Sequence, residues 1–188
     1  MKTFTLLLFS FVVLFFNAPL AQASTLQKKK VPEVEELDNA PNLYKSDNMF
    51  FSGQPNLETF EWLKQQGVDL VINLRTEGEN EDFAEEAFNE EVLVAKLKMK
   101  YVSLPIAGYD GYTPENLKKF AEALDYGKYK KVLIHCGSAG RVTYFMMAYL
   151  VEYKDYKLAD AIAFGEQIKF SFPLEYLLKV EVDWQLKR

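Results

Sequence analysis

Apolar residues fall into two rhythms along this chain. Short unbroken runs at 68–74, 100–106 and 132–135 have the length and branched content of buried strands, and 49–52 reads as another, ended by Gly53-Gln54-Pro55. The stretches between them repeat every three to four residues. Asn56 is an N-cap for a helix over 57–66, with Leu57, Phe60 and Leu63 on one face and Gly67 closing it. A second helix is predicted over 77–98, carrying Phe83, Ala87 and Val94. A third starts at Thr113-Pro114-Glu115, with proline at the first helical position and Leu117, Phe120 and Leu124 on its inner face. Helices over 142–153, 158–164 and 173–184 complete the pattern. Strands alternating with helices predict a single α/β domain with a mainly parallel sheet of four to five strands flanked by helices.

The two ends depart from this pattern. Lys2, the apolar run 4–16, the break at Asn17-Ala18-Pro19 and the small-x-small triplet Ala21-Gln22-Ala23 make 1–23 a cleavable signal peptide. The run is short for a membrane span. The expectation is export, to a bacterial periplasm, with no stable membrane insertion after cleavage; an uncleaved anchor is the alternative. Residues 24–41 are polar and without period, and read as a flexible or loosely docked arm. The domain is expected over 42–188, long enough for one core.

Charge narrows the classes. A net charge of −5 argues against a nucleic-acid partner. Lys28-Lys29-Lys30 is followed by Glu33, Glu35 and Glu36 and reads as part of a solvated arm, and the many carboxylates of 77–98 read as a solvated helix face. The chain has one cysteine, so no disulfide can form within it. An exposed thiol in an oxidising compartment would be prone to oxidation.

That cysteine and the single histidine are neighbours, His135-Cys136, at the end of the run 132–135. Gly137, Ser138, Ala139 and Gly140 follow, then Arg141 and an apolar helix. A thiol in that place faces a helix N-terminus, whose free N–H groups favour a thiolate and a bound oxyanion. Arg141 can grip such an anion with two hydrogen bonds. The alternative is a buried, inert thiol. In a parallel sheet the loops after Leu74 and Ile106 emerge at the same edge, bringing Arg75 and Asp110 toward the cysteine.

In order and spacing, Phe51-Ser52-Gly53-Gln54-Pro55, Val71-Ile72-Asn73-Leu74-Arg75, Tyr101-Val102-Ser103-Leu104-Pro105, Val132-Leu133-Ile134-His135-Cys136 and Arg141 resemble the cysteine-dependent protein tyrosine phosphatase superfamily, and within it the bacterial dual-specificity-like proteins. The resemblance covers 42–184. It implies that Cys136 attacks phosphorus and forms a phosphocysteine, with Gly137, Ser138, Ala139, Gly140 and Arg141 binding the phosphoryl oxygens. It further implies Asp110 as general acid and His135 as the residue that orients the loop and supports the thiolate. No metal or other cofactor is required, and the partner is a phosphorylated protein or a small phosphomonoester. Tyr109 and Tyr112 would flank a phosphotyrosine ring, or simply pack at the surface.

The chain departs from the family pattern at the loop. Five residues usually separate cysteine and arginine; here there are four, and the residue after the arginine is Val142, with Thr143 one later. A shorter loop has one N–H donor fewer and a narrower cradle. Two further readings therefore stay open: a rhodanese-like sulfurtransferase or thiol redox role, since rhodaneses use a four-residue loop, and a catalytically weak module that binds an anion or a partner.

Overall fold

Six strands form one sheet: β1 (Glu35–Leu37), β2 (Leu43–Ser46), β3 (Met49–Ser52), β4 (Leu70–Asn73), β5 (Lys100–Ser103) and β6 (Val132–His135), in the spatial order β1-β2-β3-β6-β4-β5. The computed structural model describes residues 29–125, 129–170 and 185–186. The expected signal segment and the helix expected over 173–184 lie outside the described residues. Among the described residues six α-helices pack around the sheet: α1 (Leu57–Gln65), α2 (Glu77–Glu86), α3 (Glu90–Lys96), α4 (Pro114–Asp125), α5 (Gly140–Lys154) and α6 (Leu158–Glu166). Among the described residues no helix is long and apolar enough to cross a membrane.

The central strands β4 and β6 are buried along their whole length, as parallel strands covered on both faces must be. Alternate side chains leave opposite faces. Phe51, Ile72 and Ile134 join Phe145 and Met146 of α5 and Phe164 of α6 in one core. Phe50, Val71 and Leu133 join Phe60 and Leu63 of α1 and Val94 of α3 in the other. Pairing is parallel from β3 through β6 and β4 to β5, with Ser52 opposite His135, His135 opposite Asn73, and Asn73 opposite Ser103. These four residues end their strands in line, so four chain segments leave the sheet at one edge.

The sheet is mainly parallel as expected, but it has six strands where four to five were expected. β1 and β2 add antiparallel pairing to one side of β3. They escape the apolar pattern because they are short, and β1 is an exposed acidic edge. β1 lies within 24–41, so part of the expected arm is a strand of the sheet; Val34 also donates its N–H to Gln167 Oε1 at 3.0 Å. The single helix expected over 77–98 is two. α2 ends at Ala87, Asn89 caps α3 by accepting from Val92 N–H, and Phe88 turns inward to meet the Phe83 and Phe60 rings edge-on.

Candidate active site

The loop between β6 and α5 begins with Cys136 and is braced by the end of β3. Cys136 N–H donates to the Ser52 carbonyl at 3.3 Å, and Gln54 N–H donates to the Gly137 carbonyl at 3.2 Å. A Cβ added to Gly53 would sit 3.0 Å from that same carbonyl oxygen, so only glycine lets the two backbones approach this closely. Because a trans peptide points its C=O and N–H in opposite directions, anchoring the Gly137 carbonyl on Gln54 turns the Ser138 N–H to the other side. Ala139 takes the left-handed conformation, φ 68°, directly before α5. An alanine there carries backbone strain of roughly 1–2 kcal/mol. The site thus collects Cys136, His135, Gly137, Ser138, Ala139, Gly140 and Arg141 around one helix start.

One feature of the sequence reading is corrected here: Cys136 is not an exposed thiol but 1% accessible, at the base of the loop. Thr143 Oγ1 donates to the Ala139 carbonyl at 2.9 Å within the core, in keeping with the hydroxyl missing after the arginine.

Arg141 is gripped by a residue the sequence reading assigned to a solvated face. Glu79, in the first turn of α2, accepts from Arg141 Nη1 at 2.7 Å and from Nη2 at 2.5 Å, a bidentate pair. Nη1 also donates to the Leu74 and Ile106 carbonyls, both at 3.1 Å. Glu79 is itself fixed by Thr76, whose N–H and hydroxyl donate to Oε2 at 2.8 and 3.0 Å while Thr76 Oγ1 accepts from Glu79 N–H, closing a capping box. The Arg141 hydrogen bonds, reinforced by those from Thr76 and by the guanidinium charge, overcome burial and pull the Glu79 carboxyl down to about 2. In return the Glu79 hydrogen bonds raise Arg141 against its burial, and charge on Cys136 adds to the effect.

Arg75, expected near the site, is drawn into the same network. Its Nη1 donates to Gln54 Oε1 at 2.5 Å, its Nη2 donates to the Glu79 carbonyl, and its guanidinium lies 5.2 Å from the Phe83 ring centre.

A second carboxylate lies beneath the loop. His135 has no accessible surface and its Nε2 is 2.9 Å from Glu90 Oε1. Glu90, also buried, accepts from Gln54 Nε2 at 2.7 Å and from Asn73 Nδ2 at 3.0 Å. Burial pushes the Glu90 carboxyl up, but the facing His135 and the hydrogen bonds from His135, Gln54 and Tyr101 outweigh it and leave Glu90 below its ordinary value. Tyr101 is pushed well above its ordinary value by burial and then by the Glu90 charge. Sequence reasoning missed Glu79, Glu90, Gln54 and Asn73. The legible signals were Thr76 three residues before Glu79, and a buried histidine with no other imidazole or thiol pair to satisfy it.

Asp110 sits on an exposed single 3₁₀ turn, Tyr109–Gly111, after β5. Tyr112 follows two residues on, just after that turn. Burial raises its phenol, the charge of Arg141 opposes this, and Cys136 is among the groups that raise it further. Its ring packs against Tyr144 and Phe145 of α5 at 5.7 and 5.8 Å. Among the described residues no group of three or more His, Cys, Asp or Glu side chains could hold a metal ion.

Residues 25–162 match the model of a family described as a DSP-PTPase phosphatase fused to NAD+ kinase. The chain belongs to this family of cysteine-dependent phosphatases. Among solved structures, a putative phosphatase from Shewanella putrefaciens CN-32 shares 29% identity over 74% of this chain and 89% of that one, with a TM-score of 0.53. P. aeruginosa TpbA in complex with phosphotyrosine shares 19% identity over 72% of this chain and 76% of its own, TM-score 0.51. The kinase-associated phosphatase KAP shares 19% over 71% and 89%, TM-score 0.55. The last two are likenesses of fold. No curated protein sequence matches the chain. The phosphatase resemblance read from the five motifs is borne out, and so is the single-domain α/β class.

Proposed function

We propose that this chain is an exported hydrolase of phosphomonoesters that works through a phosphocysteine. The observation that carries the reading is Arg141, fixed by the bidentate Glu79 pair at the start of α5, closing the loop that Cys136 opens. Cys136 sulfur forms a bond to phosphorus as the bond to the leaving oxygen breaks, and Asp110 protonates that oxygen. Water then attacks phosphorus, the S–P bond breaks, the thiolate is restored and Asp110 takes the proton. N–H groups from Gly137 to Arg141, with the guanidinium, stabilise charge on the phosphoryl oxygens. The exposed position of Asp110 supports its delivery to a leaving group entering from solvent. The leader at 1–23 supports export to a periplasm, and the substrate is a phosphorylated protein or a small phosphomonoester.

The test is mass spectrometry of the protein after incubation with an aryl phosphate and, separately, with thiosulfate. A phosphoryl adduct on Cys136 with release of the aryl alcohol supports the hydrolase. A sulfur adduct from thiosulfate overturns it in favour of sulfur transfer, the reading favoured by the four-residue loop. An unmodified thiol in both overturns it in favour of a binding module. Asp110→Asn should slow aryl phosphate cleavage at least about a hundredfold; full activity in that variant would remove Asp110 from the mechanism.

A further inference from the structure

We infer that Glu90 is a positioning residue that acts on Cys136 through His135: a buried carboxylate–imidazole pair, delivered from α3 to the end of β6, that favours the thiolate form of the nucleophile. The inference rests on the thiolate reading of Cys136 made above. It begins from burial. A carboxylate and an imidazole, 6% and 0% accessible, face one another at 2.9 Å, the imidazole on the residue that precedes the cysteine. A carboxylate can only accept, so His135 Nε2 carries the proton in this contact. The pair is not left to chance: Gln54 and Asn73 each donate to Glu90, and the Phe60 ring stands edge-on to the imidazole at 6.1 Å. His135 Nδ1 is buried and has no hydrogen-bond partner among the described residues.

With the Glu90-facing proton on Nε2, a neutral ring leaves Nδ1 as an unprotonated acceptor. An ionised carboxylate held against an imidazole favours the cationic form, and a cation on the residue before Cys136 favours the thiolate. Other charged or titratable groups reach the same region from each neighbouring element: Tyr101 from β5, Arg75 after β4, Glu79 from α2, Tyr112 after β5, and Arg141 from α5. Of these, Arg75 is engaged by Gln54 and the Glu79 carbonyl, and Arg141 by Glu79. Among the described residues, Glu90 is the ionisable group in contact with the His135 ring.

The sign of the effect separates this role from a structural one. Acting directly, a negative carboxylate near Cys136 would disfavour the thiolate, so its removal would move thiolate formation to lower pH. Acting through His135, its removal moves thiolate formation to higher pH. The chain has a single cysteine, so the far-ultraviolet thiolate band, read against Cys136→Ser, reports that group alone.

The experiment titrates this band in the full mature chain. Glu90→Gln should move its acid limb upward by about one pH unit, lowering the thiolate fraction about tenfold at acidic pH. Glu90→Asp should recover most of the shift, and adding Glu90→Gln to His135→Asn should give no upward shift. No shift or a downward one in Glu90→Gln overturns the proposal, as does an equal upward shift without His135. Should Glu90→Gln fail to fold, nitrogen NMR of the single histidine in the natural protein decides: a proton held on Nε2 across neutral pH is expected, and an unprotonated Nε2 overturns it. The titration needs no turnover, so failure of the phosphatase reading would show separately, as an absent phosphocysteine.

Discussion

At the residue scale, Arg141 shows how a guanidinium is held in one orientation. Its Nη1 is committed to two carbonyls and one carboxylate, which fixes the plane of the guanidinium before any ligand arrives. Glu79→Gln keeps the shape and removes the charge; it should raise KM for an aryl phosphate about tenfold with a smaller change in kcat, measured by steady-state kinetics. Gly53 tests the brace behind the loop. Gly53→Ala places a methyl 3.0 Å from the Gly137 carbonyl oxygen, so strand and loop must part by a few tenths of an ångström. A fall in kcat/KM of at least about tenfold is expected; unchanged kinetics would show that the loop tolerates the shift. The buried Thr143 hydroxyl predicts a third result. With the Thr143 hydroxyl committed to the Ala139 carbonyl, the second step should be slow, and rapid mixing should show a burst of aryl alcohol before steady turnover.

Among the elements, the connection from β4 to β5 carries the most functional weight and was the least legible. The sequence reveals β4, β6, α1 and α5 plainly, because long buried runs and three-to-four-residue spacing leave little choice of element. His135, Cys136 and Arg141 were equally visible, since chemistry and loop lie together in the chain. Glu79 and Glu90 were not, for a physical reason. They stand in a run of similar carboxylates, and only tertiary contact decides that these two turn inward while Glu81, Glu85 and Glu86 do not. The split between α2 and α3 is of the same kind: Phe88 gains a ring cluster by breaking a helix that local pattern would continue. Asn89 caps α3 in the middle of that run. Thr76→Ala tests whether the start of α2 matters to the site. It should cost about 1 kcal/mol of stability in denaturant titrations and also raise KM, because it loosens Glu79. Loss of stability with an unaltered KM would detach the cap from the site.

For the whole molecule, the buried and half-buried carboxylates set the acid limit. Glu79 is lowered from 4.5 to about 2, so its contribution to stability is fully present above the unfolded value and disappears as pH falls through about 2. Glu90 is lowered as well and adds in the same direction. Acid unfolding followed by circular dichroism should therefore lie below the ordinary carboxylate range, and Glu79→Gln should narrow the stability difference between neutral and acid solution. An unchanged acid profile in that variant would mean that Arg141 gains nothing from the pair in the folded state. The mixed sheet adds a mechanical side to the same picture. β3 pairs with β2 on one flank and with β6 on the other, so a disturbance of the β2–β3 pairing reaches the cysteine loop through Ser52 and Gln54.

Glu79 and Glu90 grip Arg141 and His135, the residues on either side of the loop from Cys136 to Gly140, and both come from one continuous piece of chain. A rigid displacement of that piece releases both shoulders of the loop together. Loss of the site is then a single event instead of two independent ones, and the protein should lose activity as a step, not as a gradual fade, when α2 and α3 swing away.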